Sequence, residues 1–170
     1  MSARAERRPI PGPTLTVETF MADQLERAPK LWAAVSDRGR RIFPGQIYLL
    51  LPSGELELYV LFHGSREQEI NVVAQVRGQA RQKGAIAASL LAEVWGHPRL
   101  STPGDQVRDR EDRTESLQLI IQTHDRLWDE AYVWPLERDE RGARLGKRKK
   151  AARCHHGLYR NIIERRGPLQ

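Results

Sequence analysis

The densest group of charged side chains lies near the C-terminal end of the chain. Between Arg144 and Arg166 there are nine basic residues and one acidic residue, which gives this segment a net charge of +8. Because the whole chain carries +6, the rest of the chain sums to −2. Clustered Lys and Arg neutralise phosphates and release counterions, so the segment indicates binding to nucleic acid or to an acidic protein surface. The alternative is a solvated segment that only keeps the chain soluble.

The spacing within this segment predicts a helix over residues 147–166. One face of that helix would carry Lys149, Arg153, His156 and Arg160. An apolar stripe would lie roughly 200° around the helix, formed by Ala151, His155, Leu158 and Ile162. A helix of this kind docks on the body by its apolar stripe and presents its basic stripe to a polyanion. The predicted binding residues are Lys147, Arg148, Lys149, Lys150, Arg153, His156 and Arg160.

Three histidines are the candidate metal ligands. His63, His97 and His124 each fall at the end of a predicted strand, and Asp105, Asp109 and Asp125 are near in sequence. A β-α-β crossover joins parallel strands, so His63 and His97 are expected at the same edge of the sheet. Such ligands could hold zinc or another divalent metal, which makes a metal-dependent hydrolase or nuclease the alternative function. No pair of these histidines has the close spacing of a typical metal site, so the sequence itself predicts none.

One stretch of the chain resembles part of the JAMM metallopeptidase signature. His97-Pro98 is followed by Ser101 and then by Asp105, in the order of that motif. The family binds zinc through two histidines one residue apart and a later Asp, which would imply a zinc hydrolase. This chain has Trp95 where the first histidine is expected, and its spacing from Ser to Asp differs by one residue.

No other constellation in the sequence predicts catalysis or a cofactor. Cys154, His155 and His156 are consecutive, but adjacent residues of a helix point about 100° apart and cannot all face one ion. The chain contains neither a Gly-rich phosphate loop nor a nucleophile elbow. The sequence therefore favours a non-enzymatic binding module without a cofactor, and an accessory subunit of a multi-protein complex is a further hypothesis that it leaves open.

The elements that must position these residues form a predicted α+β domain. Thr16 is a plausible N-cap for an N-terminal helix over residues 17–28, which Pro29 is expected to end before a short helical segment over 31–35. The principal helix is predicted over residues 67–83, followed by Gly84, and is expected to pack on one face of the sheet. About five mostly antiparallel strands are predicted, over residues 46–51, 56–62, 85–95, 117–123 and 132–136.

Length and composition set the broader limits. The chain has 170 residues, of which 39% are hydrophobic, and its mean hydropathy is −0.61. With a single cysteine, no signal-like leader and no apolar run of about 20 residues, it is expected to be cytoplasmic and without membrane contact. The predicted organisation is a flexible basic arm over residues 1–13, one domain over 14–143 and a basic tail over 144–170.

Overall fold

The computed structural model describes residues 5–10, 12–61, 65–96, 114–126, 129–151 and 161–163. These residues contain two helices and eight strands. The helices are α1 (Val17–Ser36) and α2 (Arg66–Lys83). The strands are β1 (Ala5–Ile10), β2 (Gly45–Leu50), β3 (Leu56–Leu61), β4 (Ala87–Gly96), β5 (Thr114–Thr123), β6 (Glu130–Asp139), β7 (Gly142–Leu145) and β8 (Lys149–Ala151).

All strands belong to one sheet with the order β1-β3-β2-β4-β5-β6-β7, and β8 pairs with β6. Every pairing between neighbours is antiparallel. The prediction of an α+β fold with a mostly antiparallel sheet is confirmed, and the five predicted strands correspond to β2 through β6. The sheet is larger than predicted because β1, β7 and β8 extend its two edges.

The N-terminal segment contributes a full strand to the sheet. β1 pairs with β3 over six residues, from Ala5 opposite Leu61 to Ile10 opposite Leu56. The sequence predicts an extended or disordered arm over residues 1–13, and within that range Ala5–Ile10 is extended. Pro9 and the charged residues of this strand do not prevent the pairing, because an edge strand needs hydrogen bonds on one side only.

Helix α1 is one continuous helix and not the two predicted segments. Thr16 caps it with a capping box, as its position in the sequence predicts, but Pro29 lies inside the helix. The buried side chains recur every four residues on both sides of Pro29, at Phe20, Gln24, Ala28, Trp32 and Ser36. Packing of this continuous face on the sheet outweighs the hydrogen bond that proline removes.

The two helices cover opposite faces of the sheet. Phe20 and Trp32 of α1 pack with Leu119 and Trp134 in one core layer, whereas Val76 of α2 packs with residues of the other layer, including Ile47, Ile120 and Ile163. The N-terminal helix and the principal helix that the sequence predicts are both present, one on each face of the sheet. Two covered faces explain why β2 is an almost continuous apolar run instead of an alternating one.

Helix α2 connects β3 to β4 as the predicted crossover. Ser65 caps its start with a capping box, and Gly84 adopts the left-handed conformation at its end. Because β3 and β4 both pair antiparallel with β2, they run parallel to each other with β2 between them. Among the described residues, no helix is both long enough and apolar enough to cross a membrane.

The start of the basic segment is a strand and not a helix. Arg144 and Leu145 belong to β7, and Lys149, Lys150 and Ala151 form β8. The predicted basic C-terminal helical tail is thus wrong for residues 149–151, because pairing with β6 satisfies their backbone groups in an extended conformation. Residues 147–148 and 161–163 of that predicted helix are not helical either, and residues 152–160 and 164–166 lie outside the described residues.

Candidate functional site

Four consecutive basic residues lie at the edge of the sheet where β8 is added. Lys147, Arg148, Lys149 and Lys150, which we call the basic edge, all have exposed side chains. In the pairing of β8 with β6, Lys150 lies opposite Tyr132 and Lys149 lies opposite Val133. Successive side chains of a strand point to opposite faces, so Lys149 and Lys150 direct their charges to the two sides of the sheet.

A hydrogen-bonded pair on β6 lies beside the basic edge. The Tyr132 hydroxyl donates to Glu130 Oε2 at 2.7 Å, and Arg126 Nη1 donates to Glu130 Oε1 at 2.6 Å. Lys150 Nζ lies 3.6 Å from the same Oε1. Arg148 Cζ and Lys150 Nζ lie 5.5 and 5.6 Å from the centroid of the Tyr132 ring, which is within cation–π range. Three cations thus surround one carboxylate and one aromatic ring, which leaves a surplus of positive charge.

Burial and the neighbouring charges shift the pKa values of both Glu130 and Tyr132. Burial, together with the hydrogen bond and the charge of Glu130, raises the pKa of Tyr132 to about 12. Burial acts to raise the pKa of Glu130, but the Tyr132 hydrogen bond and the charges of Lys150 and Arg126 outweigh it and lower that pKa. At neutral pH, Glu130 is therefore ionised and Tyr132 is a neutral donor. Neither shift moves the pKa of the group toward the neutral range in which general acids and bases work.

Part of the charge on the basic edge is not neutralised by the residues that the structure describes. Lys147 and Lys149 form no hydrogen bond or ion pair with any residue that the structure describes. Arg144, by contrast, pairs with Glu137 through a bond of 2.8 Å. The free ammonium groups of Lys147 and Lys149 are therefore available to an external anion.

The structure brings together only some of the predicted binding residues. Lys147 to Lys150 share the basic edge, whereas Arg153, His156 and Arg160 lie outside the described residues. Sequence reasoning missed Arg126, Glu130 and Tyr132, since the first two fall between the predicted strands 117–123 and 132–136 and Tyr132 begins the second of these strands. A usable signal was present: Arg126 and Glu130 are four residues apart with opposite charge, and Glu130 and Tyr132 occupy alternate positions of one strand.

Of the three candidate histidines, the structure describes His124. β3 and β4, which precede His63 and His97, run parallel as predicted, but both histidines lie outside the described residues. His124 follows β5, which is antiparallel to β4 with Thr123 opposite Ala87. His124 therefore lies beside the start of β4, at the end of the sheet opposite to the one where β3 and β4 finish. Its Nδ1 is 2.9 Å from the carbonyl oxygen of Ile86.

Metal binding finds no support in the described part of the chain. No group of three or more His, Cys, Asp or Glu side chains there is arranged to hold a metal ion. His97, Ser101, Asp105 and Cys154 fall outside the described residues. The metal-dependent hydrolase or nuclease consequently stays a prediction of the sequence.

Comparison of the chain with protein-family models, with curated proteins and with solved structures finds no match. The function is therefore inferred from the residues of the basic edge and its surroundings.

Proposed function

We propose that this chain is a non-enzymatic binding module that contacts the phosphate backbone of nucleic acid through the basic edge. The observation that carries the proposal is the run of four exposed basic side chains beside β6, with Lys147 and Lys149 unpaired by any described residue. Glu130 is the carboxylate that contacts this group, and Arg126 already donates to it. The local excess of cations supports binding to a polyanion.

The extended backbone supports contact with a chain of phosphates. Residues in an extended strand advance about 3.3 Å each, which is close to the roughly 3.4 Å per phosphate along one strand of DNA. Because successive side chains face opposite sides of the sheet, each side presents every second cation, at about half the charge density of a nucleic-acid strand. Such contacts position a protein on nucleic acid without selecting a sequence.

Lysines on an edge strand can also protect the sheet edge, and this role must be distinguished from contact with phosphates. Exposed Lys residues at a sheet edge discourage pairing with strands of other molecules, and that role needs no ligand. The two roles differ in one measurable property, because only nucleic-acid binding makes oligonucleotide affinity depend on Lys147 and Lys149.

Fluorescence anisotropy with short labelled single-stranded DNA, double-stranded DNA and RNA tests the proposal across a series of salt concentrations. The variant K147Q/K149Q removes two unpaired cations, and K30Q/R40Q removes two exposed cations from elsewhere as a matched control. We expect the first variant to bind more weakly. The magnitude of its negative slope of log affinity against log salt should fall by about 1.4 to 1.8, since each lost phosphate contact removes about 0.7 to 0.9. The control should retain the slope of the original chain.

Equal affinities and equal slopes for the two variants would contradict the proposal. Binding to polyglutamate without binding to any oligonucleotide would also contradict it, and would indicate an acidic protein surface as the partner. Circular dichroism and thermal unfolding of both variants establish that the substitutions leave the fold intact.

A further inference from the structure

A groove separates the second half of α1 from the hairpin of β6 and β7. Its volume is about 460 Å³, and its apolar wall includes Pro29, Ala33, Ala143 and Leu145. Small-molecule sites occupy about 300 to 1,000 Å³ and combine an apolar lining with a few polar groups. The groove has the size of such a site and lies on a different part of the sheet from β8.

The groove is held open by backbone contacts that fix the end of α1 against β7. The Ala143 N–H donates to the Arg38 carbonyl at 2.6 Å. Gly142 adopts a φ of +126°, and a Cβ at that position would lie 2.7 Å from the same carbonyl oxygen. This close approach sets the distance between the two walls, so the groove is a preformed feature and not a gap between independent elements.

Two arginines at the groove carry charge that the described residues do not neutralise. Arg38 and Arg141 line the groove, and their guanidinium groups bond to none of the described residues. Nearby Arg144 is paired with Glu137. The only carboxylate that lines the groove among the described residues is Asp139, which already accepts from the Arg141 backbone N–H at 2.7 Å.

From the apolar wall and the two unpaired guanidinium groups, we propose that the groove binds a small amphipathic anion, a molecule with an apolar aromatic body and one carboxylate, sulfonate or phosphate group. The body packs against Pro29, Ala33 and Leu145, and the anionic group accepts hydrogen bonds from Arg38 and Arg141. The site is separate from the basic edge, and this inference does not depend on the proposed binding of nucleic acid.

The fluorescent probe anilinonaphthalene sulfonate has this chemistry, and phenylnaphthylamine offers a closely similar aromatic body without the charge. Ala33 and Ala34 are both exposed on α1, but only Ala33 lines the groove. A33W therefore fills the groove, and A34W places the same side chain outside it. We expect A33W to weaken binding of the anionic probe by about tenfold or more, and A34W to bind it as the original chain does.

Removal of one charge tests the selectivity for an anion. R141Q should weaken binding of the anionic probe by about tenfold, as expected for a lost charge-assisted hydrogen bond, and leave binding of the neutral probe unchanged. R40Q, which removes an exposed arginine that does not line the groove, is the control. Equal binding of the anionic probe by A33W and A34W would overturn the site, and equal effects of R141Q and R40Q on that probe would overturn the anionic class of ligand.

Discussion

The hydroxyl of Ser89 on β4 donates a hydrogen bond of 2.7 Å to Gln24 Oε1 on α1. Only 1% of Ser89 and 2% of Gln24 are exposed, so this bond crosses the boundary between helix and sheet inside the core. A polar group in that position stabilises the fold only while its partner is present.

Removing both partners should therefore destabilise the domain by less than the two single removals added together. Q24L and S89A each leave a buried polar atom without this bond, and we expect each to lower the free energy of unfolding by about 1 to 3 kcal/mol. The double variant should lose less than the sum of the two single losses. Denaturant unfolding of the four proteins measures the coupling, and strictly additive losses would show that the bond contributes nothing.

A second prediction concerns the ion pair that links β3 to α2. Lys83 Nζ lies 2.7 and 2.8 Å from the two carboxylate oxygens of Glu57, and Glu57 is 4% exposed. K83M removes the Lys83 ammonium group from a buried carboxylate and should lower the free energy of unfolding by about 2 kcal/mol, less than for a fully buried pair because Lys83 is partly exposed.

The matched control for K83M is K30M. Lys30 pairs with Glu26 at 2.7 Å, but both side chains are more than two-thirds exposed, and such pairs contribute about 0 to 1 kcal/mol. If the two variants unfold at the same denaturant concentration, the Glu57 pair is no stronger than a surface pair.

The third prediction is a pH dependence caused by Tyr132. Its pKa is raised from 10.0 to about 12 in the folded domain, so the folded state holds this proton more tightly than the unfolded chain does. The associated stability is complete below pH 10 and is lost as the pH rises toward about 12. We expect one tyrosine to titrate near pH 12 in tyrosinate absorbance.

The variant E130Q tests the cause of that shift. It removes the charge that raises the pKa of Tyr132 but retains an oxygen that can accept the hydrogen bond. The late titration should move toward lower pH, and the loss of stability in alkaline solution should become smaller. An unchanged titration curve would mean that Glu130 does not raise the pKa of Tyr132.

The fourth prediction compares a glycine where a side chain would clash with a glycine where a side chain would fit. Gly142 has a φ of +126°, and a Cβ there would meet the Arg38 carbonyl oxygen at 2.7 Å, so G142A should lower the free energy of unfolding by about 1 to 3 kcal/mol. Gly78 lies inside α2, and a Cβ there would meet nothing within 4 Å. G78A should raise the free energy of unfolding by about 0.5 to 1 kcal/mol. Thermal unfolding should therefore shift in opposite directions for the two variants.

The elements predicted from the sequence are those whose hydrophobic pattern is strong. β2 through β6 contain apolar runs or alternation, and Ser65 and Gly84 provide the caps that bound α2. β1 escaped prediction as a strand because Ala5–Ile10 contains charged residues and Pro9 and relies on pairing with β3. Pro29 indicated a helix end, but the packing of Ala28 and Trp32 on the same face continues the helix past it.

Of the candidate site, only the positive charge could be predicted from the sequence. The local density of basic residues identified Lys147 to Lys150, but their helical spacing proved uninformative for a strand of three residues. The arrangement of Glu130 and Tyr132 against Lys150 depends on how β8 is aligned with β6. That alignment is a tertiary property, and no pattern within either segment encodes it.

The composition of the two edge strands also governs how copies of this chain meet. β1 forms one edge and contains Pro9, which has no N–H to offer a further strand. At the other edge, β8 carries Lys149 and Lys150, whose charges would repel the same residues of a second copy. Both edges of the sheet therefore disfavour pairing with a strand of another molecule. Concentrated solutions of the chain should resist fibre formation by edge-to-edge growth.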